Sequence, residues 1–209
     1  MKKIIIKLLF FPALMLMASV PADNFFEGKI IYKNTFTDPL RGVDITTDMK
    51  YLYGLEEHFY INQYNYKAYN EQGRMTKLFN AADNIYYRIK ATGKAIAIDA
   101  TKMSSPKPEI SHSDSSISVL GRKCKMVTLT TPAAEIIYFY DTTLTVNKYS
   151  FMYHKLGNWN SYIEASGASM PLKFIIITKD WIQVSEAISI DRITLQDTDF
   201  VLPDGIKIE

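Results

Sequence analysis

The chain has 209 residues, with 24 Lys+Arg against 22 Asp+Glu, 47% hydrophobic residues and a single cysteine. A net charge near zero leaves no basic surplus to bind nucleic acid and no polybasic run to hold an anionic membrane. One cysteine forms no internal disulfide, so stability must come from packing.

The first stretch, "MKKIIIKLLFFPALMLMASVPAD", is charged at Lys2, Lys3 and Lys7 and apolar from Leu8 to Val20. Small residues follow, with Val20 and Ala22 at the −3 and −1 positions before Asp23. That order is the anatomy of a secretory leader cleaved after Ala22. The apolar run is shorter than the roughly 20 residues a membrane-spanning helix needs. It is followed by no cysteine that would carry a lipid. Residues 1–22 hold three lysines and no acid, which leaves 21 basic against 22 acidic residues in 23–209. This remainder, 187 residues long, suits one domain and buries a core unaided. No later segment is long and apolar enough to span a membrane. The expectation is an exported protein, periplasmic or beyond.

The remainder reads as strands separated by short polar turns. In "FFEGKIIYKNTF" (25–36), alternation puts Ile30, Tyr32, Asn34 and Phe36 on one face. Asp38-Pro39 ends it. Residues 44–55 are the best helix candidate, with Thr46 or Thr47 as cap and Met49, Leu52 and Tyr53 at helical spacing. "HFYINQYNYKAY" (58–69) reads as a strand with Tyr60, Tyr64 and Tyr66 on one face and Phe59, Ile61 and Lys67 on the other. Strands follow at 74–79, 84–90 and 94–100, with turns at Glu71-Gln72-Gly73 and Thr92-Gly93. Strand, short turn, strand is the pattern of an antiparallel meander.

Segment 101–117, "TKMSSPKPEISHSDSSI", is rich in serine with two prolines, and reads as a mobile loop. Strands resume at 122–131 and 134–141. Residues 144–169 read as a short strand with an irregular or helical excursion. Two or three strands follow over 171–197, with Asp180 at a turn. The run Ile175-Ile176-Ile177 reads as a central strand covered on both sides. A Pro-Asp-Gly turn precedes the end of the chain.

The order "FEGKIIYKN", "VLGRKCKMVTLTT", "EIIYFYD", "PLKFIII" and "DTDFVLPDGIKI" resembles exported proteins of the LolA/LolB/LppX lipoprotein-handling family of Gram-negative bacteria. The resemblance covers most of residues 23–209. It implies one mainly β domain: a strongly curved antiparallel sheet of about eleven strands, an incomplete barrel with a few short helices on its concave side. It also implies that the concavity holds an acyl chain of a lipid or lipoprotein. The family has no shared catalytic residues to carry over. The chain lacks the lipidated N-terminal cysteine of LolB and LppX, which favours a soluble carrier over a membrane-tethered receptor.

The candidate cavity residues are Tyr60, Tyr64, Tyr66, Tyr86, Cys124, Met126 and Tyr138. The tyrosines serve either as cavity lining or as core and cross-strand pairs, because alternation does not say which face is concave. Cys124 shares a face with Met126 while Lys123 and Lys125 point to water, so its thiol faces the core or the hollow.

His58, His112 and His154 lie in separate segments with no zinc spacing, and read as surface or partly buried side chains. "SHSDSS" (111–116) is a solvated loop rather than a triad, since triad members come from separate elements and no G-x-S-x-G elbow is present. No metal, cofactor or catalytic residue is expected. Two non-enzymatic functions follow: a binder of an apolar ligand, or an interaction module that docks an envelope protein on a sheet edge or on segment 101–117. A hydrolase would instead show a cluster of perturbed titratable groups in a cleft.

Overall fold

The computed structural model describes residues 25–103 and 106–209. The expected leader, residues 1–22, lies outside them. Twelve strands form one sheet: β1 (Gly28–Thr37), β2 (Glu56–Ile61), β3 (Asn65–Asn70), β4 (Met75–Asn80), β5 (Ile85–Ile89), β6 (Lys94–Asp99), β7 (Glu109–Val119), β8 (Arg122–Thr130), β9 (Glu135–Thr145), β10 (Ser169–Ile177), β11 (Ile182–Arg192) and β12 (Lys207–Ile208). Their order is β12-β6-β5-β4-β3-β2-β1-β11-β10-β9-β8-β7. Neighbours run antiparallel except β12, which lies parallel to β6. β12 and β7 are the two edges, so the sheet does not close into a barrel. The helices are short: α1 (Thr46–Tyr53), α2 (Lys148–Phe151) and α3 (Trp159–Ala165).

β1 shows why these residues form a strand. Ile30, Tyr32, Asn34 and Phe36 are buried, while Lys33 and Thr35 are exposed. The one polar member is satisfied: Asn34 Oδ1 accepts from Ser185 Oγ at 2.6 Å and from Gln183 Nε2 at 3.4 Å.

The sheet is curled, and ring geometry shows it. Steps of 6.4, 5.2 and 4.1 Å between ring centroids lead from Tyr66 on β3 through Trp159 and Tyr162 to Tyr138 on β9. Those strands are five places apart, about 24 Å on a flat sheet. The inner face therefore wraps around α2 and α3. The main core lies there, drawing Phe79 and Leu172 from the two halves of the sheet, Phe151 and Tyr162 from the helices and Phe26 from the segment before β1. The outer face has a smaller core of Met75, Leu78, Ile89, Ala95 and Phe200, which the C-terminal segment covers through Leu195, Leu202 and Ile206.

Four expectations change. Residues 58–69 are a hairpin, not one strand. Asn62 Oδ1 accepts from the backbone N–H groups of Tyr64 and Asn65, at 2.9 and 2.7 Å, and builds the turn without glycine or proline. Segment 101–117 is not one long loop, because β7 begins at Glu109. β7 has a bulge between Ser113 and Ser116 and pairs only with β8. Its polar residues fit an edge, where no described strand pairs on the open side. The Ile175–Ile177 run is only partly buried, so that end of β10 is not covered on both sides. Helix α1 forms, but its N-cap is Ile45 without a side-chain cap, and none of its residues is buried. Thr46 Oγ1 instead accepts from the Phe36 N–H at 2.9 Å.

The β7–β8 turn carries a measurable cost. Leu120 and Gly121 have φ of 51° and 74°, and Val119 pairs with Arg122 across them. A two-residue hairpin with both central φ positive favours Asn-Gly. Leucine in that region costs about 1–2 kcal/mol. Leu120→Asn is expected to raise the melting temperature by about 2–4 °C, read by circular dichroism. A lower melting temperature would show that the Leu120 side chain contributes packing that outweighs its backbone cost.

Candidate functional site

The inner face keeps two small clefts beside α3. The larger, about 230 Å³, is lined by Phe59, Tyr66, Lys77, Tyr86, His154 and Trp159, with Leu156 and Gly157 at its helical side. The smaller, about 110 Å³, is lined by Tyr32, Tyr138, Met170, Phe174 and Ile176, among others. Phe59, Lys77 and Trp159 belong to both. Strand alternation places these groups. Glu57 and Phe59 alternate on β2, and Lys77 and Phe79 on β4, so each pair shares the inner face.

Lys77 and Glu57 form an ion pair, Nζ to Oε1 at 2.9 Å, where the clefts meet. Lys77 Nζ also lies 5.7 Å from the Phe59 ring centroid. Burial is the largest influence on the Lys77 ammonium and pulls its pKa down. The Glu57 charge, Tyr86 and the Glu57 hydrogen bond together outweigh it, and the net direction is up. The Glu57 partner thus favours the charged form of Lys77.

His154 is 2% exposed, which corrects the expectation of a surface or partly buried ring. Its Nε2 lies 2.6 Å from Tyr66 Oη, and its ring stacks on Tyr66 at 5.7 Å. Burial, helped by the Lys77 charge, pushes its pKa down to about 4. Tyr66 and Tyr86 are both pushed up, chiefly by burial. Two buried donor or acceptor atoms in these walls, His154 Nδ1 and Trp159 Nε1, have no hydrogen-bond partner among the described residues.

The candidate residues scatter. Tyr66 and Tyr86 line the larger cleft and Tyr138 the smaller. Tyr60 lies on the outer face, where it meets Tyr69 edge-on at 5.8 Å and Lys67 Nζ at 5.6 Å. Tyr64 sits in the β2–β3 turn, so Tyr60, Tyr64 and Tyr66 do not share a face. Cys124 is fully buried in the main core, with Sγ 3.6 Å from the Arg122 carbonyl, while Lys123 and Lys125 are exposed. Its thiol pKa is raised, first by burial and then by Asp141. Met126 is partly buried against the same core, and neither residue lines the two clefts.

Sequence reasoning placed none of Glu57, Lys77 and Trp159 in a site, and read His154 as a surface or partly buried ring. A charge inside an alternating strand, as in "MTKLFN", was the available signal for Lys77. His154 lies in the irregular chain between α2 and α3, and Trp159 opens α3, so strand alternation does not read either.

The fold is thus an open, curled antiparallel sheet around short helices, with an aromatic inner face. No family model matches the chain, and no curated protein matches it. Among solved structures the chain is similar to PNGF-II in a P21 crystal form, with TM-score 0.50 and 14% identity over 88% of this chain and 31% of that one. The same protein in a C2 form gives TM-score 0.45 and 14% identity over 86% and 31%. A third structure is described as an outer membrane lipoprotein-sorting protein domain from Vibrio parahaemolyticus. It gives TM-score 0.34 and 8% identity over 83% of this chain and 89% of that one. The chain spans about a third of the length of PNGF-II. At such identity the first of these likenesses shows the fold alone.

Proposed function

We propose that the protein is a non-enzymatic, exported binder of an apolar ligand, an acyl chain of a lipid or lipoprotein held against the inner face of the sheet. The observation that supports this best is the lining of the joined clefts. Their walls are mostly aromatic and aliphatic, and their one ion pair, Lys77–Glu57, is neutral as a unit. The ionisable groups of the linings are Glu57, Lys77, His154 and tyrosines, and Glu57 and Lys77 pair with each other. Burial is the largest influence on each perturbed group there, which a wall of packed rings produces without catalysis. The leader-like residues 1–22 and the sequence resemblance to lipoprotein-handling proteins support the same reading.

The volumes limit the ligand. Both clefts fall below the roughly 300–1,000 Å³ of typical small-molecule sites. They suit a segment of one acyl chain, with each buried methylene worth about 0.8 kcal/mol. The unpartnered His154 Nδ1 and Trp159 Nε1 would meet a carbonyl or hydroxyl at the head of such a chain.

The test is titration of the purified protein with a fluorescent fatty acid, beside native mass spectrometry without delipidation. Saturable binding is expected, weakened about tenfold by Leu156→Trp, which fills the larger cleft. Absence of saturable binding, or equal binding by the filled variant, rules the reading out. The alternative, docking of an envelope protein on β7, meets a strand whose polar residues and bulge blunt its edge.

A further inference from the structure

A third cleft, of about 700 Å³, lies away from the inner face, where the β2–β3 turn, the β4–β5 turn and α2 converge beside Asp197. Three tyrosines stand around it. Tyr64 is 48% exposed, Tyr149 70% and Tyr153 55%. Single exposed aromatics are ordinary, but these come from segments more than 80 residues apart and rim one hollow. None of their hydroxyls bonds to another described residue. Lys148 Nζ lies 5.1 Å from the Tyr149 ring, which leaves one ring face for a ligand.

The polar lining is neutral amide, the hydroxyl of Ser150 and one carboxylate. Asn80 Oδ1 accepts from the Ala82 N–H at 2.9 Å, and Asn147 Oδ1 from the Tyr149 N–H at 3.1 Å. Each keeps its Nδ2 donor unused among the described residues. Asn84, at φ 55° in the β4–β5 turn, makes no side-chain hydrogen bond there. Asp197 Oδ1 accepts from Asn62 Nδ2 at 2.9 Å and Asn65 Nδ2 at 3.1 Å, which fixes the carboxylate and leaves Oδ2 as a free acceptor. The lining holds no Lys, Arg or His and carries the Asp197 carboxylate, which disfavours an anionic ligand; Lys148, on one face of the Tyr149 ring, is at the rim.

We propose that this cleft binds a neutral saccharide. Sugar rings present apolar C–H faces that stack on tyrosine, and hydroxyls that both donate and accept, as free amides and a carboxylate require. The volume lies within the range of small-ligand sites, whereas a protein partner would need a broader, flatter surface. This site is independent of the acyl-binding reading.

The test titrates the purified protein with cellotetraose, chitotetraose, maltotetraose and mannotetraose, by calorimetry and by nuclear magnetic resonance shift mapping. Saturable binding of at least one probe is expected, with shifts confined to this cleft. Tyr149→Ala and Tyr64→Ala, at exposed positions on separate segments, are each expected to weaken it about tenfold without moving the melting temperature. The proposal is overturned if none of the four probes binds at millimolar concentration, or if both variants bind as wild type. Saturable binding of a peptide library at the cleft, uncompeted by any of the sugars, also overturns it.

Discussion

Tyr162→Ala is expected to lower the melting temperature by about 6–20 °C. Tyr162 is fully buried on α3 at the centre of the inner face. Its ring meets Tyr138 at 4.1 Å, Trp159 at 5.2 Å and Tyr140 at 6.4 Å. Truncating a buried ring costs about 3–5 kcal/mol, through lost transfer energy and the cavity left behind. In a chain of this size each kcal/mol moves the midpoint by about 2–4 °C. The side chain also ties α3 to the sheet by a hydrogen bond, Tyr162 Oη donating to the Ser169 carbonyl at 2.7 Å. Tyr162→Phe separates the two contributions. It keeps the ring and removes that bond, at a cost of about 1 kcal/mol. The carbonyl is not fully orphaned, since Ser166 Oγ lies 3.4 Å from it. Urea unfolding of both variants gives the comparison. If Tyr162→Ala loses less than Tyr162→Phe is expected to, α3 is not what holds the curl of the sheet.

The fold was legible wherever burial imposes a period. β1 reads correctly because its inner side is covered and its other side carries Lys33 and Thr35. The expected helix at 44–55 and the helical excursion within 144–169 are both present. β7 was not legible, for the converse reason. An edge strand with an open side has no need to alternate, and serine with two nearby prolines looks like loop. The 58–69 hairpin was hidden because Asn62 makes its turn through a side chain. Reading through that turn as strand put Tyr66 on the face of Tyr60, whereas the two lie on opposite faces. The cleft was legible least of all. Glu57 and Lys77 come from β2 and β4, while His154 and Trp159 come from the helical segment around which the sheet curls, about 80 to 100 residues further along the chain. An apolar site also needs no fixed spacing of chemical groups, so little of it is written as a motif.

Between pH 6.5 and about 4, acidification is expected to cost the protein about 3 kcal/mol of stability, and His154 is the cause. Its ordinary value is 6.5 and its folded value about 4, lowered first by burial. In that window the unfolded chain binds a proton that the folded chain refuses, so the contribution is whole above pH 6.5 and declines as the pH falls. Below about 4 both states are protonated and the loss levels off. A shift of this size corresponds to about 3 kcal/mol at 1.36 kcal/mol per pH unit. The groups facing the ring make the folded state unreceptive. Phe79 lies 4.3 Å away, Tyr86 6.2 Å, Tyr66 holds Nε2, and the charged Lys77 repels a second cation. Asp38, Asp44, Asp99, Asp141 and Glu209 also have shifted values, all downward from 3.8 or 4.5. Their stabilisation persists above those values and is lost as the pH falls below them, mostly beneath the histidine window. The double variant Tyr66→Phe/His154→Phe removes the titrating ring without leaving the tyrosine hydroxyl unpaired. Its urea midpoint is expected to stay level between pH 6.5 and 5 while that of the wild type falls. If the double variant falls as steeply as the wild type, some other group carries the proton, and the His154 ring is not held neutral by the core.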